Sequence, residues 1–364
     1  MRPAFSSTKA AAGFVFLVAT ILLLPALFGK NSLPPRERAY ANAAWHLGAF
    51  PWIHRQIFQE KSDVDIAFVG SSIIFSGINT PAVQKALAQK LGRPAVVMTL
   101  GWFWAGFDAD FFVAQDLLQH RRVRMLVIYD EDTRADSPHP LAPVWFRWGH
   151  NAGDVAAQPP GFKAGLYTSA VMGMPRNLLS QARPDLGLNP KLENFWAKNY
   201  FAPSPAEELG TIISRRPFIN GSNFFTWQPG SDAAAAAVCV YSAATSNRFE
   251  FTGPPTRPYQ LAFVRALAAL AQSHGTKLVI LHFPPSTKTG ANVITERENW
   301  PAVLTNQCAL MGIPPARLFA GMTDGEIARL YYGDDHFNQN GQAYFTRLIT
   351  PALLQLYDTP ADHR

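Results

Sequence analysis

Residues 65–72 read Asp-Ile-Ala-Phe-Val-Gly-Ser-Ser, a short apolar run that stops on a glycine and two serines. A nearly continuous apolar run of this length suits a strand buried on both faces of a parallel sheet. The glycine lets the chain turn sharply and expose the following side chains at the carboxyl edge of the sheet, where α/β folds place their ligands. A helix should follow, with Thr80 as N-cap, Pro81 in the first turn, Val83, Leu87 and Leu91 at four-residue spacing, and Gly92 closing it.

The unit then repeats. Ala95–Met98 and Met125–Tyr129 read as further strands, with a helix around Ala109–His120 between them. Later, Pro258–Ser273 reads as an amphipathic helix, Lys277–His282 as a buried strand, and Pro301–Leu310 and Gly341–Tyr357 as helices. Strands alternating with helices predict a three-layer α/β/α sandwich on a parallel sheet of about five strands, over residues 63–357, with 358–364 as a tail. Between about 134 and 256 the rhythm gives way to Pro, Gly, Asn and aromatic residues such as Trp145, Trp196 and Trp227. This insertion is either an irregular cap packed by its own aromatics or part of a substrate cleft.

The uncharged interval between Lys9 and Lys30 approaches the ~20 residues that cross a bilayer, so residues 1–30 are expected to form one N-terminal transmembrane helix. A signal peptide cleaved near Ala41-Asn42-Ala43 is the competing reading, but that site lies well beyond the apolar run. Basic residues flank both ends, so charge barely orients the segment. Residues 31–62, with Trp45, Trp52 and Phe58, are expected to be a helical juxtamembrane lead into the fold.

Over 364 residues, 48% hydrophobic content argues against wholesale disorder, and the net charge of +6 favours anionic partners. The basic residues are scattered and accompany no nucleic-acid-binding module, so a nucleic-acid partner is not expected. Cys239 and Cys308 are the only cysteines; they either pair or stay as buried thiols, and no Cys/His cluster points to a metal.

Serine is a weak nucleophile until a base takes its proton, so acyl chemistry needs a Ser at a strand end, a His beside it and a group orienting that His. Ser72 meets the first requirement. Among nine histidines, His336 in Asp334-Asp335-His336-Phe337-Asn338 is the one with two acidic residues directly before it and Gly341 and a helix start soon after. An acidic residue two positions before a histidine can hold one imidazole nitrogen while the other faces the serine.

A serine after the first strand and an Asp/His turn before the last helix resemble the SGNH/GDSL hydrolase superfamily, over about residues 63–133 and 258–357. Within it the chain looks most like membrane-anchored members that accompany alginate O-acetylation and D-alanyl transfer. The resemblance implies Ser72 as nucleophile, His336 as base, Asp334 as orienter with Asp335 as the substitute, and oxyanion donors at Ser72 and at Gly106 or Gly101, Ser71 contributing beside them. It implies no cofactor or metal, an acylated donor and a polysaccharide acceptor, a multi-spanning membrane acyltransferase as a partner, and a catalytic domain outside the cytoplasm on a single-pass anchor in the inner membrane. A carbohydrate acetylesterase and a non-catalytic adaptor of a polysaccharide assembly are the alternatives. The chain departs from the family at the Gly-x-Asn-Asp block, where Tyr129-Asp130-Glu131-Asp132 stands, and an anionic side chain cannot donate to an oxyanion. Trp102 and Trp104 flank the presumed active loop and are candidates for stacking on sugar rings, or for packing.

Overall fold

The computed structural model describes residues 4–29, 50–130, 238–242, 258–286, 308–313, 315–332 and 335–358, with single residues 37, 40 and 139. Five parallel strands form the sheet: β1 (Val64–Gly70), β2 (Val97–Gly101), β3 (Val123–Tyr129), β5 (Lys277–Leu281) and β6 (Cys308–Gly312). Strand β4 (Cys239–Ser242) runs antiparallel on the outer edge, giving the order β2-β1-β3-β5-β6-β4. The sequence predicts a helix through Leu310; residues 301–307 lie outside the described set, and 308–312 form β6 instead. A five-residue apolar segment, Cys-Ala-Leu-Met-Gly, suits a buried strand as well as a helix turn, and pairing with β5 decides between them. The insertion also does more than loop, since its residues 239–242 cover the edge of β6.

Side chains alternate across the sheet with period two. Ala67, Val69, Met98, Leu100, Leu126 and Ile128 face one layer, made by α5 (Phe107–His120) and α6 (Pro258–Ser273), where Phe112, Phe263 and Leu267 complete the core. Ile66, Phe68, Val97, Met125 and Val127 face the other, made by α4 (Thr80–Leu91) and α9 (Gln339–Asp358), with Leu87, Phe345 and Leu348; the short helices α7 (Pro315–Leu318) and α8 (Asp324–Ala328) precede α9. Each Val, Leu, Ile, Phe or Met among them, taken fully from water, contributes about 1.5–3 kcal/mol. The N-cap of α4 is Asn79, whose side chain accepts from the Ala82 N–H, rather than Thr80. Thr80 is helical and its hydroxyl is buried against that of Thr99 at 2.7 Å. Gly92 closes α4 at φ 63°, as its position predicts.

Helix α1 (Thr8–Gly29) covers the apolar segment, and Phe14, Val15, Phe16 and Leu17 on it are all exposed. Among the described residues no helix is long and apolar enough to cross a membrane, and the side chains of α1 beyond Leu23 lie outside them. Of the juxtamembrane stretch, α2 (Phe50–His54) runs into a π-helical turn over Arg55–Gln59. The buried Arg121 guanidinium ties that turn down by donating to the carbonyls of Gln56 and Ser62, both at 2.8 Å. The ladder between β4 and β6 places Cys239 opposite Gly312, four residues from the level of Cys308. That offset is about 13 Å along a strand, beyond the reach of a disulfide between the two.

Candidate active site

Strand β1 lies between β2 and β3, so the chain leaves the sheet in opposite directions around it. Such a switch point opens a crevice at the carboxyl ends of the strands. Gly70 ends β1 at φ 152°, where a Cβ would lie 3.0 Å from Ile74 Cγ1, so the turn needs glycine. Helix α3 (Ser72–Gly77) then begins at once, and Ser72 is its first residue. The Ser72 N–H therefore has no intrahelical acceptor.

Opposite stands a short hairpin of β7 (Tyr331–Tyr332) and β8 (His336–Phe337). Asn338 fixes its exit: the side-chain oxygen accepts from the Asn340 and Gly341 N–H groups, and Nδ2 donates to Arg329 O at 2.6 Å. A Cβ on Gly341 would fall 2.1 Å from Leu330 O, so the glycine lets α9 start directly against the hairpin. Gln342 of α9 donates to Phe75 O at 3.1 Å, joining the histidine-bearing unit to α3.

The two units bring Ser72 Oγ within 2.7 Å of His336 Nε2. On the other side of the ring, His336 Nδ1 is 2.5 Å from Asp335 Oδ1. A carboxylate accepts, so Nδ1 carries a proton, and in the neutral ring Nε2 is then the nitrogen that accepts from the serine hydroxyl. The sequence reading put Asp334 in the orienting place; the described neighbour of Nδ1 is Asp335, and Asp334 lies outside the described residues. Asp335 is 60% exposed at its side chain, so its grip on the ring is screened by solvent.

An open cleft of about 530 Å³ leads to this pair and is lined by Ser71, Ser72, Ile73, Phe103, Trp104, Ala105, Tyr129, Asp335 and His336. The Ser71 hydroxyl donates to Tyr129 OH at 2.9 Å and is buried, which places it in the wall. The two glycines read as oxyanion donors do not line the cleft. Gly101 pairs with Gly70 across β1 and β2, and a Cβ there would meet Phe75 at 2.6 Å; Gly106 caps α5, and a Cβ there would meet Asp108 Oδ1 at 2.6 Å. Close packing accounts for both. Trp102 also falls outside the cleft: it is fully buried with Met98 and Leu100 on one face of β2, so it cannot stack on a ligand. Trp104 does line the cleft, is 55% exposed, and sits at φ 63°, a left-handed conformation rare for a bulky residue.

Two further carboxylate–histidine contacts lie near the strand ends. Asp130, just past β3, is 2.6 Å from His282 Nδ1, just past β5, and both are buried. Burial pushes the Asp130 carboxyl up, against the opposing pull of His282. In the second, Asp108 accepts from the His139 N–H at 2.8 Å and the Tyr259 hydroxyl at 2.9 Å, and the His139 ring reaches the loop after β2. Neither was legible as a site, because each joins segments remote in sequence. Among the described residues no group of three or more His, Cys, Asp or Glu side chains is arranged to hold a metal ion.

A serine hydroxyl hydrogen-bonded to an imidazole beside an open cleft is the arrangement that nucleophilic attack on an ester carbonyl requires. No family model and no curated protein matches the sequence.

Proposed function

We propose that the chain is a serine-dependent acyl-transfer enzyme of SGNH type, acting on a carbohydrate ester outside the cytoplasm and held to the membrane by α1. The observation that carries this reading is the hydrogen-bonded succession Ser72–His336–Asp335 at the sheet's switch point, with a cleft beside it. Ser72 Oγ attacks the ester carbonyl while His336 Nε2 takes its proton. The tetrahedral oxyanion collapses, the departing alkoxide takes the proton from His336, and the acyl group remains on Ser72. A second hydroxyl, deprotonated by His336, then attacks the acyl-enzyme, releasing the new ester or acid and restoring Ser72. The Asp335 carboxylate stabilises the imidazolium between these steps.

The exposed ring of Trp104 at the cleft supports a sugar as one of the reactants, since an aromatic face suits the apolar face of a pyranose. The uncharged sequence run between Lys9 and Lys30 supports an anchor, and a membrane-bound acyl donor would then be delivered by a multi-spanning partner. Incubating the full chain with an acetyl donor and an oligosaccharide tests the reading. Acetyl appearing on the sugar supports transfer, and acetate appearing in solution supports the acetylesterase alternative. Neither product, from folded protein, would leave the non-catalytic adaptor.

A further inference from the structure

The loop that faces Ser72 across the cleft is held from behind. His139 Nε2 lies 3.0 Å from Phe103 O and 3.2 Å from Trp104 O, and His139 is only 3% exposed and does not line the cleft. Both partners are acceptors, so Nε2 carries a proton shared between the two carbonyls. In a trans peptide the C=O of one residue and the N–H of the next point in opposite directions. Carbonyls of Phe103 and Trp104 turned towards His139 therefore send the N–H groups of Trp104 and Ala105 away from it. Successive N–H groups turned the same way around a left-handed residue form an anion-binding nest, and Trp104 has the left-handed conformation this needs.

We propose that His139 is a positioning residue, which holds the backbone N–H groups of Trp104 and Ala105 towards the cleft as donors to the oxyanion formed at Ser72. This rests on the acyl-transfer reading above. It supplies the donor that the missing asparagine block takes away, and it assigns to the two N–H groups the role that neither Gly101 nor Gly106 is placed to fill. Behind His139, Asp108 fixes the arrangement: one carboxylate oxygen accepts from the His139 N–H and the Tyr259 hydroxyl, the other from the Ala109 N–H at 3.0 Å. The Asp108 contact to His139 is to the backbone, so side-chain replacement at 139 leaves it in place. Burial lowers the His139 pKa, which keeps the ring neutral and leaves Nε2–H as its donor to the loop.

The test is steady-state hydrolysis of an aryl acetate by the full-length protein, comparing wild type, His139→Ala, His139→Gln and Tyr259→Phe. A glutamine amide reaches about as far as Nε2 and retains an N–H donor. The expected result is a kcat lowered roughly 10- to 100-fold in His139→Ala with KM little changed, since an ångström of misplacement at an oxyanion donor acts on the transition state. His139→Gln should recover much of that loss, and Tyr259→Phe should show a smaller one. A residue that merely filled space would lose stability without the kcat-against-KM split and without rescue by glutamine. An active wild type with kcat unchanged in folded His139→Ala, or no recovery in His139→Gln, overturns this inference and leaves the acyl-transfer reading intact. An inert wild type that also fails to react at Ser72 with a fluorophosphonate takes down both.

Discussion

Ser72 and His336 are 264 positions apart in the chain and 2.7 Å apart at Oγ and Nε2. Neither residue reaches the other alone. Gly70 turns Ser72 out of β1, Gly341 lets α9 begin against the β7–β8 hairpin, and Gln342 ties that helix to α3. Substitutions distant from the cleft that disturb this docking should therefore act on the hydroxyl–imidazole distance.

The orienting carboxylate can be separated from its neighbour by substitution. Asp335→Asn should lower kcat roughly 10- to 100-fold, less than for an orienter in a dry site because the Asp335 side chain is 60% exposed. Asp334→Asn should cost less. The comparison is made in kcat for an aryl ester; a larger loss in Asp334→Asn would return the role to Asp334.

Trp104→Ala should raise KM for an oligosaccharide acceptor several-fold and leave that for a small aryl acetate nearly unchanged, as expected of a stacking face that touches only the sugar. Equal effects on both substrates would place the tryptophan's contribution in the loop's shape instead.

Two buried carboxylates should give opposite pH signatures. At Asp65 burial works to raise the pKa, but hydrogen bonds from Arg93, Tyr357 and the Val96 N–H outweigh it and hold the carboxyl below its ordinary value. Its stabilisation is then present above the unfolded-state value near 3.8 and is lost as pH falls through the lower folded value. Asp65→Asn should cost about 1–2 kcal/mol at neutral pH and little in strong acid. Asp110 is buried with neither oxygen partnered among the described residues, and burial first, then the Asp108 charge, pushes its pKa well up. Its contribution is present below the unfolded value and is lost as pH rises through the folded one. Asp110→Leu should therefore stabilise by roughly 1–3 kcal/mol at pH 8, with a smaller effect at pH 4. Denaturant midpoints across pH measure both.

The parallel sheet was legible because its strands are short, apolar on both faces and spaced by helices, and β1 with its serine turn follows from that pattern alone. Ser72 and His336 were legible as residue types at a strand end and before a final helix. Of the two readings of Trp102, stacking or packing, burial selects packing on a signal already present: Met98, Leu100 and Trp102 share the two-residue period of β2, which continues one residue further and takes Trp102 into the core. Asp334 and Asp335 are adjacent in sequence and identical in chemistry, so which of them meets His336 leaves no trace in composition. The contacts of His139 with Phe103, Trp104 and Asp108 join residues more than thirty positions apart, so no local pattern announces them.

Whether Ser72 is the nucleophile is read from covalent labelling of the full-length protein by a serine-directed fluorophosphonate, with the modified residue located by peptide mass spectrometry. One adduct is expected, on Ser72, absent in Ser72→Ala and formed more slowly, by roughly 100-fold or more, in His336→Ala because the two act as a unit. Folded wild-type protein that forms no adduct, or labels equally well in Ser72→Ala, would contradict it.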